Sequence, residues 1–274
     1  MSAVTANGRR RLRTAAVVTA WIAVLLALSL WSVRRDPPTV AEQRDLGQAL
    51  PELRRATGAL IAAADDERWV LRLGELRIED CSITPVRSGR AASRDLTVIV
   101  PEGDARTALE GIAAGLPPGY RASVTAVRGG TRLSLYADAG EFIAIDAAAL
   151  SADQILTVRV DSGCRPSGGT ADVADPAAGP VPAALTETLT ALRADAAVTP
   201  RTRAVACPDG GTAATFVADA GSRDAEDGPL GVPDGTVPVW SDAGGWAYRM
   251  GPASVVVTAQ GGRSQVSVTT TCGQ

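Results

Sequence analysis

The side chains in this 274-residue sequence whose type and spacing suggest chemistry are three groups of carboxylates, four cysteines and a pair of tryptophans. The carboxylates are Asp65-Asp66-Glu67, Glu79-Asp80 and Asp224-Ala225-Glu226-Asp227-Gly228. Paired carboxylates can hold a hard cation, or act as acid and base in glycoside hydrolysis with no other ionisable partner. The last group lacks the alternating ligands and distal glutamate of a calcium loop, and nothing in the sequence brings two particular carboxylates together. Solvated loop charge explains all three more simply. Trp240 and Trp246 can form an apolar binding edge beside the last group, although filling a small core is the simpler role for an indole.

What is missing constrains the chemistry more. The chain has no histidine, and all 27 of its basic residues are arginine. Without histidine there is no Ser-His-Asp or Cys-His nucleophile pair and no imidazole metal ligand. Without lysine there is no Schiff base, no phosphate-loop lysine and no Ser-x-x-Lys acyl-enzyme site. No catalytic residue, cofactor or metal site is therefore expected. Arginine in place of lysine, with abundant alanine, resembles the exported proteins of GC-rich actinobacteria in general and singles out no family.

Cys81, Cys164, Cys207 and Cys272 allow three pairings, and none lies in a Cys-x-x-Cys motif of redox or zinc type. An internal comparison selects one pairing. Val158-x-Val160-x-x-x-Cys164 and Val266-x-Val268-x-x-x-Cys272 share a pattern, each preceded by another alternating strand. Short apolar segments ending at Cys81 and Cys207 open the two halves. The reading is a duplicated module that ties its first strand to its last, through Cys81–Cys164 and Cys207–Cys272.

These groups are positioned by a chain organised around one apolar stretch, 14–33, which carries no charge over twenty residues. At about 1.5 Å per residue such a helix spans a bilayer core of roughly 30 Å. Arg9, Arg10, Arg11 and Arg13 precede it, and Arg34 and Arg35 follow it. Four basic residues against two favour a cytoplasmic N-terminus and an exterior C-terminal part, with Trp31 at the outer interface. The segment exceeds the apolar core of a cleaved signal peptide and ends in a poor cleavage site. The expected organisation is a cytoplasmic tail (1–13), a single transmembrane anchor (14–33), a juxtamembrane helical segment (36–66), a first module (67–164), a linker (165–182) and a second module (183–274).

Pro37-Pro38 breaks the anchor helix, and Thr39 with Glu42 fits a capping box for the next one. Leu46, Leu50, Leu53, Leu60 and Ile61 then recur at helical spacing, with Pro51 predicting a kink. This stripe suits a dimer seam or, more simply, the cover of a sheet. A change of phase at Gly74-Glu75 predicts a bulged strand, and Asp104 is placed to cap a helix ending at Pro117-Pro118. Arg128-Gly129-Gly130 signals a hairpin. Helix and strand signals together predict α+β: two similar modules of mainly antiparallel sheet with covering helices.

Residues 36–274 hold all 30 acidic residues and 21 of the 27 basic ones, a net charge of −9. That argues against nucleic acid as a partner. The expected function is a non-enzymatic binding or scaffolding module of the bacterial cell envelope. It is held in the lipid bilayer by residues 14–33 and meets another envelope or membrane protein. The alternatives are a carboxylate-dependent glycan hydrolase and an accessory subunit of a larger membrane complex.

Overall fold

The computed structural model describes residues 4–35, 44–166, 168, 171–194, 199–222, 231–260 and 262–272. The chain divides into two units, Met1–Gln43 and Arg44–Gln274. It is α+β, with two antiparallel sheets and few helices.

The first unit is one helix, α1 (Val4–Arg35), which contains the whole uncharged run 14–33. Its described side chains, Ala15 to Trp31, are exposed, and the Thr19 hydroxyl donates to the Ala15 carbonyl at 3.0 Å. Among the described residues no helix is long and apolar enough to cross a membrane. The expected helix over 14–33 is present, and its expected role as a membrane span is not supported among the described residues.

In the second unit, the first sheet contains β1 (Val70–Thr84), β2 (Arg87–Ile99), β3 (Ser123–Val127), β4 (Arg132–Asp138), β5 (Ala144–Leu150), β6 (Ile155–Asp161) and the short β7 (Arg165–Pro166). Their order is β1-β2-β6-β5-β4-β3, with β7 beside β2. The second sheet contains β8 (Arg201–Ala206), β9 (Thr212–Ser222), β10 (Trp240–Asp242), β11 (Gly245–Met250), β12 (Ala253–Gln260) and β13 (Arg263–Thr270). Its order is β8-β9-β13-β12-β11-β10. Counted from its own first strand, each sheet runs 1-2-6-5-4-3. The duplication read from short sequence patterns is therefore a shared topology.

The disulfides follow this symmetry. Cys81, in the C-terminal part of β1, and Cys207, directly after β8, are joined to Cys164 and Cys272, each just beyond the sixth strand of its sheet, with Cα separations of 5.9 and 5.5 Å. First and sixth strands flank the second and run parallel to each other, so their ends come together. The expected bulge sits between Leu73 and Leu76.

Helix α2 (Leu46–Ala63) buries Leu46, Leu50, Leu53, Leu60 and Ile61 in the core of the first sheet. The stripe is a sheet cover, and this correct alternative leaves no dimer seam. Pro51 lies within one continuous helix rather than dividing two. Asp45 caps the helix, accepting from the Gln48 amide at 3.0 Å, while the capping box expected at Thr39 and Glu42 lies outside the described residues. Gly58 lets α2 meet the second module, because a Cβ there would collide with the Ala206 carbonyl. Helix α3 (Ala105–Gly115) buries Ala108, Leu109 and Ile112 against the same sheet; Asp104 occupies its N-cap position without a side-chain capping bond. Helix α4 (Ala183–Ala191) covers the second sheet over Phe216, Val255, Val257, Val266 and Val268.

The other face of the second sheet receives the edge of the first. The Leu71 amide donates to Ser254 Oγ and the Leu73 amide to Thr215 Oγ1, both at 2.9 Å. Thr215 in turn shares a 2.7 Å hydrogen bond with Thr269. Val70 and Ile99 pack there on Ala247 and Val256. Side-chain hydroxyls thus satisfy amides that an edge strand would otherwise offer to solvent. Ser254→Ala is expected to destabilise the protein by about 1–3 kcal/mol, since it leaves a buried amide unpaired. Chemical denaturation would show it, with hydrogen exchange at Leu71 accelerating more than at β5.

The expected linker, 165–182, falls inside the compact unit Arg44–Gln274, and its described residues are tied to both sheets. Arg165–Pro166 pairs with Gly89 and Arg90 as β7. Further on, the Asp172 and Ala174 carbonyls accept from Arg54 at 2.9 and 2.6 Å, and Asp175 pairs with buried Arg94. A glycine- and alanine-rich segment reads as loose from composition, yet here its backbone carbonyls and one carboxylate strap it down.

Candidate functional site

Among the described residues, the carboxylate groups do not converge. Asp66 accepts from Arg68 Nε at 3.1 Å, and that hydrogen bond outweighs burial to hold its carboxyl below the ordinary range. Asp65 lies 3.8 Å from Arg249. Glu67, Glu79 and Asp80 are exposed, and Asp80 stands 3.8 Å from Arg90. Asp224, Glu226 and Asp227 lie outside the described residues. Among the described residues, no group of three or more metal-ligating side chains comes together.

The two tryptophans point to opposite faces of the second sheet. Trp246 is buried among Phe216, Tyr248 and Val257, whereas Trp240, paired with Ala247, packs against the small cluster formed by Val70, Ile99 and Val256. They fill core and do not form one binding edge. Arg9, Arg10, Arg11, Arg13, Arg34 and Arg35 all fall in α1, with their side chains outside the described residues. Trp31 is 56% exposed.

One groove opens where the modules meet, with a volume of about 470 Å³. Pro51, Arg54, Arg55 and Ala59 of α2 form one wall, Pro117 and Tyr120 a second, and Ala206, Cys207 and Pro208 the third. Arg54 is committed to the strap carbonyls, and Arg55 forms an ion pair with Glu52. Burial pushes the Tyr120 hydroxyl pKa up. The lining has no carboxylate and therefore lacks the acidic pair on which glycoside hydrolysis relies. Three chain stretches far apart in sequence build it, and no local pattern announced it.

The outer face of the first sheet carries a cross-strand row, Asp95–Arg159–Asp146–Tyr136. Asp95 accepts from Arg159 Nε at 2.9 Å and from Arg77. Burial alone would raise the Asp95 carboxyl pKa, but these two hydrogen bonds overcome it and hold it below the usual range. Asp146 is the reverse: burial raises it, and the attraction of Arg159 does not compensate.

The signs differ accordingly. A depressed carboxyl contributes stability at pH above its unfolded value and loses it as pH falls through its folded value. A raised carboxyl is a net cost once ionised. Asp95→Asn is thus expected to lose about 1–3 kcal/mol at neutral pH and little in acid, whereas Asp146→Asn is neutral or stabilising at neutral pH. Urea titrations at neutral pH and in acid below the Asp95 pKa would show the crossing, and equal losses in both variants would refute it.

No known protein family matches the chain, and no curated protein matches it. Among solved structures, the chain is similar to a DUF4853 family protein from Actinomyces odontolyticus, with 14% identity over 61% of this chain and 89% of that one and a TM-score of 0.33. A likeness at that score carries no argument about function.

Proposed function

We propose that this chain is a single-pass, membrane-anchored extracytoplasmic protein, acting as a non-enzymatic binding or scaffolding module of the bacterial cell envelope. The observation that carries the reading is the pair of disulfides, one closing each sheet, because such crosslinks persist where the surroundings are oxidising. The exposed apolar side chains of Ala15 to Trp31, within a helix whose uncharged run is bounded by arginines, support lipid as the setting of α1. The groove without carboxylates and the scattered, arginine-paired acidic groups favour binding over turnover of glycans.

Membrane fractionation with alkaline extraction and thiol labelling tests the reading. The expected result is a product that resists extraction, has no free thiol, and is cut by protease added outside spheroplasts. Recovery from the cytosol with four reactive thiols would overturn it. Glycan turnover by the purified protein that an acidic substitution abolishes would replace the binding function with catalysis.

A further inference from the structure

The two sheets offer four edge strands, and the fold closes three. β1 lies on the second sheet with its Leu71 and Leu73 amides taken by hydroxyls, and its far part carries Arg77, Glu79 and Asp80. Charge along an edge opposes unwanted pairing. β8 gives its Ala204 amide to Asp175 and its Ala204 carbonyl to Arg94. β10 is only three residues long.

β3 is the exception. Among the described residues it is paired on one side only, to β4, and four of its five residues are exposed. Its sequence, Ser123-Val124-Thr125-Ala126-Val127, has no charge and no proline, and its register with β4 has no bulge. Alternate amides and carbonyls of such a strand point away from the sheet, and its valines and threonine favour extended backbone. None of the devices that usually blunt an edge is present.

The flanks add a second, independent feature. Arg121 lies two residues before β3 and Arg128 directly after it, and both adopt left-handed backbone, with φ of 48° and 53°. A non-glycine residue in that region costs about 1–3 kcal/mol, and such residues cluster at ligand clamps and switch regions. Both side chains are exposed; Arg121 makes only a 3.5 Å contact with Asp138. Exposed Arg132 stands across from Val127, and Arg106 reaches towards Gly130. In a region of net charge −9, one uncharged edge is bracketed by arginines.

We infer that the free edge of β3 receives an extended segment of an acidic partner protein as a further antiparallel strand. Backbone hydrogen bonds along Ser123–Val127 supply the pairing, and carboxylates at the two ends of the incoming segment meet Arg121 and Arg128. A second copy fits poorly. Self-pairing centred on Thr125 brings Arg121 of each copy within one residue of Arg128 of the other, and like charges repel there. The inference deepens the binding-module reading and rests on it.

The test uses the full-length protein in nanodiscs and a labelled synthetic peptide, Asp-Asp-Val-Thr-Val-Thr-Val-Glu-Glu, read by fluorescence anisotropy. Saturable binding is expected, with at least about a tenfold loss on combining Arg121→Glu with Arg128→Glu and a matching gain for the same peptide ended in lysines. A peptide N-methylated at alternate amides is expected not to bind, a comparison made on the unaltered protein. Three results would overturn the site: no saturation by about 1 mM, binding indifferent to the charge reversal or to N-methylation, or a dimer in sedimentation that Thr125→Pro dissolves. Alkaline extraction of the same membranes separates the two readings. Peptide binding by an extractable protein removes the anchor alone, and an anchored protein that ignores the peptide removes the β3 site alone.

Discussion

Replacing Cys81 and Cys164 together by serine is expected to lower the melting temperature by roughly 8–20 °C. The bridge closes a loop of 83 residues, and the chain-entropy account gives about 4–5 kcal/mol for such a loop, a model-dependent figure. In a body of this size each kcal/mol moves the midpoint by about 2–4 °C. The native side of the equilibrium adds to the effect, because little else holds the outer reach of the β1–β2 ribbon. β6 pairs with β2 only from Ser93 onward and Ser162 holds Ala92, so Arg87 to Ala91 depend on β1, on the short β7 and on the bridge. Cys81 sits opposite Gly89, whose missing Cβ leaves room for the Arg165 carbonyl and for Cys164 Sγ, 3.0 Å from where that Cβ would stand. Differential scanning calorimetry with and without reductant would measure the loss. Hydrogen exchange is expected to rise first in residues 77–92. A shift below about 2 °C would show that the ribbon is held by something other than the bridge.

The cysteine pairing was legible because duplicated strands repeat a duplicated spacing, so that symmetry selects among three connectivities. The α2 stripe and the bulge at Gly74-Glu75 were legible because each follows from apolar periodicity. The far reach of β1 was not. From Glu79 to Thr84 no residue of β1 joins the core, and a strand without a buried face leaves no apolar alternation to read. The strap failed for another reason: Asp172 and Ala174 hold Arg54 through backbone carbonyls, which every residue possesses, so composition bears no trace of them. Ser254 and Thr215 left no signal either. A hydroxyl in an alternating strand does not say which surface it meets, and here it faces the edge of the other sheet. The groove gathers Pro51, Tyr120 and Pro208 from distant segments, and only tertiary contact joins them.

Asp175→Ala is expected to destabilise the protein by about 3–5 kcal/mol, a loss comparable to that of a disulfide. Arg94 is 1% exposed, and its guanidinium donates to the Gly74 and Ala204 carbonyls at 3.0 and 3.1 Å. Its carboxylate partner is Asp175, reached through both oxygens at 3.0 and 2.7 Å. Carbonyl dipoles solvate a buried cation only in part, so removing the carboxylate strands a charge that the fold cannot hydrate. Asp175 also accepts from the Ala204 amide at 2.9 Å, which ties β8 of the second sheet to β2 of the first through the strap. Partial exposure of Asp175, 24%, admits some water and places the expected loss in the lower half of the range. One comparison separates the cost of an unpaired charge from the worth of the pair itself. Arg94→Met combined with Asp175→Leu is expected to recover most of the melting temperature lost by Asp175→Ala, since neither change then leaves an unpaired charge. If Asp175→Ala melts within about 2 °C of the parent, the strap is a loose connection and the two sheets hold together through β1 and α2 alone.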